Sequence, residues 1–327
     1  MTDATVGELS EAAVLRAILA RFAPSHALIG PGDDAAVLAA PGGRIVATVD
    51  TLVHGPDFRL AWSTGYDLGW KAAAVNLADV AAMGARPTAL LVALAMPDST
   101  RLSFVTAIAD GLRAGCEALA PGCAVEGGDL TVSDTLTVAV TALGVLGRAA
   151  PVTRAGARAR DVVAIAGDIG RAAMGLQVLF DRFRDAAGTP IAVRPDELTA
   201  DEASAVDAQL RPRPPIALGE TAARAGATAM MDVSDGLALD ASRLADASGV
   251  TIDLRAATLG ADPQRALAGG EDHALLATFP ADTAVPGGFR PIGTVGARGT
   301  VPLTVDAVPY TGRGGWDPYQ DWDAARG

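Results

Sequence analysis

Histidine and cysteine are scarce in this sequence. Among its 327 residues the three histidines, His26, His54 and His273, stand singly, and the only cysteines are Cys116 and Cys123. Two cysteines are too few for a disulfide framework and wrongly spaced for a zinc site, so both read as reduced thiols. Isolated histidines argue against an imidazole base or a histidine-held metal. Basic charge is also short: 26 Lys and Arg face 38 Asp and Glu, giving a net charge of −12, and no basic block occurs. That balance excludes binding along a nucleic-acid backbone. No apolar run reaches the roughly 18 residues of a membrane span, and the opening MTDATVGELSE is acidic where a secretion signal would be basic and then apolar. The expectation is a cytoplasmic protein with neither a membrane nor a nucleic acid as partner. A GxxxxGK[ST] phosphate loop is missing as well.

What is present describes a compact, loop-rich α/β chain: half of the residues are hydrophobic, with 37 Gly and 20 Pro. The length suggests two domains. An arginine-rich connection, RAAPVTRAGARARD, begins at residue 148 between apolar strands, which places the domains at 1–147 and 148–327. In the first, SEAAVLRAILARF reads as a helix with Val14, Leu15, Ile18, Leu19 and Phe22 on one face. RIVATVD reads as a strand ending at Asp50, DLGWKAAAVNLADVAAMGA as a helix stopping at Gly84, and TALLVALAMP as a strand. RLSFVTAIADGLRAGCEALA is a further helix, followed by CAVEGGD and LTVAVTALGVLG as strands. In the second domain DVVAIAG, AMMDV and VTIDL read as strands, with GRAAMGLQVLFDRF and SDGLALDASRLADAS as helices.

Acids stand out on this scaffold. In GPGDDAA, residues 30–36, an Asp pair between glycines and alanines reads first as a turn. Asp50 closes a strand, and Asp79 sits inside an apolar helix with Asn76 three residues earlier on the same face. Asp129 follows EGG, where a hairpin turn competes with close backbone approach to a ligand. In MMDVSDG, Asp232 ends a strand, Ser234 reads as a helix N-cap and Asp235 as a first-turn residue. Five segments thus deliver Asp34, Asp50, Asp79, Asp129 and Asp232 from mostly apolar surroundings, and carboxylates in that number repel unless cations hold them together. Hard oxygen donors without His or Cys select Mg²⁺, which takes substrate phosphates as further ligands. Phosphoryl transfer from a nucleotide is therefore the leading reaction class, with metal in place of a lysine cradle.

IGPGDDAAVL, VDTLVHGPDF, KAAAVNLADVAAMGARP, EGGD, VTRAGARARD, MDVSDGL, GGEDHALL and GWDPY occur in the order and at about the spacing found in thiamine-monophosphate kinases, within the superfamily of aminoimidazole ribonucleotide synthetase and selenophosphate synthetase. The chain resembles that family over nearly its whole length. The resemblance implies two α/β domains of the aminoimidazole ribonucleotide synthetase type, with N-terminal strands forming a barrel across a homodimer interface. It implies direct transfer of the ATP γ-phosphoryl group to thiamine monophosphate, with several Mg²⁺ ions and K⁺ as a candidate monovalent cation. Carried over by position, Asp34, Thr48, Val49 through its backbone, Asp50, Asp79, Asp129 and Asp232 resemble Mg²⁺ ligands, with Asp235 near a further ion. Gly128, Asp129, Arg154 and Ser234 resemble ATP contacts, and Asp50, Asp129 and Arg154 the residues closest to the transfer. Glu271 and Trp316 resemble thiamine contacts. Asp57, where the family often has His, stands at another such contact, and His273 replaces a more usual aromatic. The same metal scaffold acting on another acceptor, or a silent nucleotide-binding scaffold, are the alternatives.

Overall fold

The computed structural model describes residues 3–9, 11–22, 38–40, 43–147, 150–312 and 314–316. Asp34, with the rest of GPGDDAA, lies outside the described residues. The first half holds helix α1 (Glu11–Leu19), strand β1 (Ile45–Val53), helix α2 (Gly65–Ala82), strand β2 (Arg86–Met96), helix α3 (Leu102–Leu119) and strands β3 (Ala124–Val132) and β4 (Thr137–Val145). Its four strands form one sheet in the order β1-β4-β2-β3, antiparallel except for the β2–β3 pair.

Helix α2 is fixed at its start by reciprocal capping. The Thr64 hydroxyl accepts from the Asp67 N–H, and the Asp67 carboxylate accepts from the Thr64 N–H. Helices α2 and α3 then touch backbone to backbone: a Cβ on Gly69 would stand 2.0 Å from the Ile108 carbonyl oxygen, and one on Gly111 2.0 Å from that of Tyr66. Only glycine permits that approach. The pair covers one face of the sheet, where Val138, Val140 and Ala142 of β4 pack with Leu77 and Leu112. The opposite face is uncovered in the single chain, with Ile45 58% and Val49 61% exposed.

The second half holds β5 (Val162–Ala166), α4 (Arg171–Arg182), α5 (Ala200–Leu210), α6 (Ile216–Arg224), β6 (Ala229–Val233), α7 (Leu237–Ser248), β7 (Val250–Leu254), α8 (Pro263–Ala268), β8 (Ala274–Phe279), β9 (Arg290–Ala297), β10 (Leu303–Val305) and β11 (Val308–Pro309). They build a seven-stranded sheet in the order β11-β10-β7-β9-β5-β8-β6. Its middle is apolar on both faces. Ile165, Met231 and Leu276 pack with Leu237 and Leu244 of α7, while Ala164, Met230 and Leu275 pack with Ala222 of α6 and Ala82 of α2. Helix α2 therefore belongs to both halves, and it carries the polar residues of the site.

Four local expectations need correction. β1 does not end at Asp50 but runs to Val53, and β3 continues through EGGD to Val132, so neither Asp50 nor Asp129 is a strand end. Both continue because their backbones pair, Asp50 opposite Val140 and Asp129 opposite Ala93. Ser234 is not the cap of α7, which starts at Leu237; the Asp240 carboxylate reaches back to the N–H groups of Asp235 and Gly236 instead. Leu19, expected on the packed face of α1, is 39% exposed, while Val14 is buried. The four-stranded sheet is open at β1 and β3, and the described residues form no closed barrel.

Candidate active site

The alternation of β1 puts Thr48 and Asp50 on the face that meets α2. There Asn76 and Asp79, one helical turn apart, receive them. The Thr48 hydroxyl donates to Asp79 Oδ2 at 2.7 Å, and the Asp50 N–H donates to Asn76 Oδ1 at 3.1 Å. Asp232 comes from β6 and is buried. Burial, followed by the charges of Asp232 and Asp50, pushes the Asp79 carboxyl up to about 7. Asp50 is raised by burial and by Asp232, against the lowering pull of His273. These shifts mark three carboxylates close enough to repel.

His273 lies against Asp232 because β6 and β8 pair at Val233 and Ala274. Its Nδ1 stands 3.1 Å from Asp232 Oδ2, while its buried Nε2 has no hydrogen-bond partner among the described residues. Burial lowers the basicity of this imidazole, but the hydrogen bond and charge of Asp232 outweigh it, so its pKa is raised.

Beside the acids opens a cavity of about 470 Å³. Asp57, Lys71, Ser234, Asp235, Glu271 and Trp316 all line it. Asp57 Oδ2 accepts the Val53 N–H at 2.7 Å, and burial raises its carboxyl. Trp62 and Phe180 form an aromatic wall, edge to face with centroids 5.0 Å apart, and the Arg59 guanidinium lies 5.8 Å from each ring centre. On the other side Lys71 Nζ meets Glu271 Oε2 at 2.5 Å. Burial acts to raise Glu271, yet Lys71 and His273 outweigh it and hold the carboxyl below its ordinary range.

The structure thus brings Thr48, Asp50, Asp79 and Asp232 together, and Asp57, Ser234, Asp235, Glu271 and Trp316 around the adjoining cavity. Gly128 and Asp129 are not brought to either. They sit on edge strand β3, separated from β1 by β4 and β2, and Asp129 pairs with Ala93 on the sheet face opposite to that of Asp50. The Val49 side chain also projects from that uncovered face, leaving only its backbone on the site's strand. Asp235 is engaged by Arg243, whose Nη1 is 2.5 Å from Oδ2. Arg154 is exposed in the connection between Val152, whose N–H donates to Met83 O, and Met230, whose N–H donates to Thr153 O.

Among the described residues, no three His, Cys, Asp or Glu side chains converge as a ready-made metal cage. The all-oxygen donors nevertheless suit Mg²⁺, which keeps waters and completes its shell with phosphate oxygens rather than with protein alone. Residues 32–146 match the family model described as AIR synthase related protein, N-terminal domain. A Mycobacterium tuberculosis (strain CDC 1551 / Oshkosh) thiamine-monophosphate kinase is 41% identical, over 98% of this chain and 94% of its own length. The chain belongs to the thiamine-monophosphate kinase family. As such it is a kinase. Its fold agrees with the thiamine-monophosphate kinase of Stenotrophomonas maltophilia K279a, with 34% identity, a TM-score of 0.76, and coverage of 92% of this chain and 98% of that one. It agrees also with AaThiL complexed with AMPPCP and TMP, with 28% identity, a TM-score of 0.73, and coverage of 96% and 99%.

Two residues of this candidate site escaped the sequence reading. His273 was noted only as a departure from the family, and nothing in the sequence pairs it with Asp232, 41 residues away. Lys71 had a plain mark that went unused: it is the only lysine in the chain, all 25 other basic residues among the 26 Lys and Arg being arginine.

Proposed function

We propose that this kinase transfers the γ-phosphoryl group of ATP directly to thiamine monophosphate, releasing ADP and thiamine diphosphate. The observation that carries the reading is the junction of three mutually repelling carboxylates, Asp50, Asp79 and Asp232, with a cavity that presents both an aromatic wall and an ionised glutamate. Several Mg²⁺ ions, when bound, would neutralise phosphate charge and stabilise the transferring group. Asp50, Asp79 and Asp232 would hold them, with Thr48 fixing Asp79 through its hydroxyl and Asn76 fixing the Asp50 backbone. Asp34, the Val49 backbone and Asp235 complete the proposed ligand set, resting on the resemblance alone; Asp129, on the sheet face opposite to Asp50, belongs to it by the family pattern and not by its place in the single chain. K⁺ is retained as a candidate monovalent cation on the same ground.

Ser234 and Arg154 would hold the nucleotide, with Gly128 and Asp129 proposed from the family pattern. Glu271, Asp57 and Trp316 would receive thiamine, a cationic heterocycle suited to carboxylates and to a π-face. The acceptor phosphate is already anionic near neutral pH, so the residues need only orient it, and transfer proceeds without a phosphoenzyme. We place the metal, nucleotide and dimer contacts mainly in residues 1–147, with 148–327 completing the cleft. Two copies would bury the uncovered face of the β1-β4-β2-β3 sheet against each other as a barrel in a cytoplasmic homodimer; the exposed Ile45 and Val49 support this.

The deciding experiment is an ADP-release assay with purified chain against a panel of phosphorylated acceptors. Thiamine monophosphate should be preferred by orders of magnitude. Equal or better turnover of an aminoimidazole ribonucleotide precursor, or ATP turnover indifferent to acceptor, would overturn the reading. Sedimentation of the same sample tests the dimer.

A further inference from the structure

Lysine 71 has an unusual setting. Its side chain is 6% exposed, whereas that of Glu271, its partner at 2.5 Å, is 40% exposed. The ammonium therefore sits behind the carboxylate, and the carboxylate faces the cavity. With its side-chain amide in the orientation that satisfies its neighbours, Gln209 of α5 accepts from Lys71 Nζ at 3.2 Å and donates to Ala172 O at 3.1 Å. Glu271 itself is held in left-handed backbone, φ +73°, with its N–H donating to Ser234 O at 2.8 Å. Left-handed backbone at a non-glycine residue is strained and persists where the surroundings enforce it. One carboxylate oxygen is thus held by Lys71 of α2, whose ammonium Gln209 of α5 holds in turn, while the backbone of Glu271 is fixed to Ser234.

We infer that Lys71 is a positioning residue for substrate recognition: it fixes Glu271 Oε2 from behind so that the other oxygen is presented to the cationic ring portion of the substrate. The inference rests on the reading of this cavity as the thiamine site. A buried ammonium needs a charged partner, and a compact point charge fits between Glu271 and Gln209 where a planar guanidinium needs more room. This accounts for a lysine at the one position where the chain does not use arginine.

The test uses the purified full chain with Lys71→Met and Lys71→Arg. KM for thiamine monophosphate and for ATP, kcat, the melting temperature, and the affinity for unphosphorylated thiamine by calorimetry are measured for each. Lys71→Met is expected to weaken thiamine monophosphate and thiamine by the same factor, about tenfold or more, with the KM for ATP within about twofold of wild type. Lys71→Arg, which keeps the charge but needs more room than the space between Glu271 and Gln209 gives, should recover only part of the loss. Weakened thiamine monophosphate with unchanged thiamine would place Lys71 on the phosphate and overturn the inference. A parallel rise in both KM values together with a lower melting temperature would reduce Lys71 to a structural clasp and overturn it too. A wild-type chain that turns over ATP with another acceptor and binds no thiamine would overturn the functional reading itself, a result separate from either of these.

Discussion

The acids of this molecule fall into two regions that treat negative charge in opposite ways. In the cavity, Glu271 has a resident cation, Lys71, and its carboxyl is held below the ordinary range. Around β1 and α2, Asp50, Asp79 and Asp232 have no lysine or arginine ion pair among the described contacts, only His273, and Asp79 is pushed up to about 7. A carboxylate with its own counter-charge is set for recognition before any ligand arrives. Asp50 and Asp79, raised by burial first and by neighbouring carboxylate charge after it, favour the ionised form when a cation from solution joins them. The first region is a fixed template and the second a receptor for charge.

The strongest way to break this comparison is Asp50→Asn. Removing one anionic ligand from the receptor should lower kcat by about a hundredfold or more, the scale of losing one preorganised electrostatic contact to the transition state. Near-normal turnover at saturating Mg²⁺, with melting behaviour unchanged, would show that Asp50 holds no essential cation. The template is tested by Trp316→Ala. If the indole meets the thiamine ring, KM for thiamine monophosphate should rise roughly five- to thirtyfold, as expected for about 1–2 kcal/mol of cation–π contact, while the KM for ATP barely moves. A loss of thermal stability with an unchanged acceptor KM would make Trp316 a core seal.

The smallest effect is on stability against pH. Asp79 has a folded pKa raised above its unfolded value near 4, so its contribution favours folding at low pH and is lost as pH climbs through about 7. Without divalent cation the melting temperature should therefore fall between about pH 4 and 7, and Asp79→Asn should flatten part of that slope. Asp240 and Asp272, raised to about 6, contribute in the same direction and remain in the variant. Added Mg²⁺ should raise the melting temperature more at pH 8 than at pH 6. A slope identical in wild type and Asp79→Asn would show that Asp79 is not the group responsible.

Much of this was legible in the sequence. The apolar helix with Asn76 and Asp79 on one face is α2, and both residues turn toward β1 as their spacing requires. The buried strands AMMDV, DVVAIAG and VTIDL are β6, β5 and β7. What failed was punctuation. CAVEGGD reads as a strand that stops at Asp129, with a hairpin turn competing at its paired glycines, but Gly128 is there so that backbone can pass close to β2: a Cβ would stand 2.0 Å from Val92 O. The pairing of Asp232 with His273 and of Lys71 with Glu271 joins positions 41 and 200 residues apart, set by sheet register and domain contact rather than by any local pattern. Asp129 on the far face of the sheet is likewise a matter of register, fixed by β2 and β4 between it and β1.

Trp62 and Trp70 both donate their indole N–H across the molecule, to Phe183 O at 3.0 Å and to Pro212 O at 2.9 Å. Both rings are buried, and only Trp62 shares the cavity with Trp316. The chain therefore carries its own optical reporters. Light emitted by Trp62 and Trp316 should change when the cavity fills, and that of Trp70, buried outside the cavity lining, when the halves separate; Trp322 lies outside the described residues. Intrinsic fluorescence followed once on ligand addition and once on unfolding thus compares occupancy with unfolding without any label.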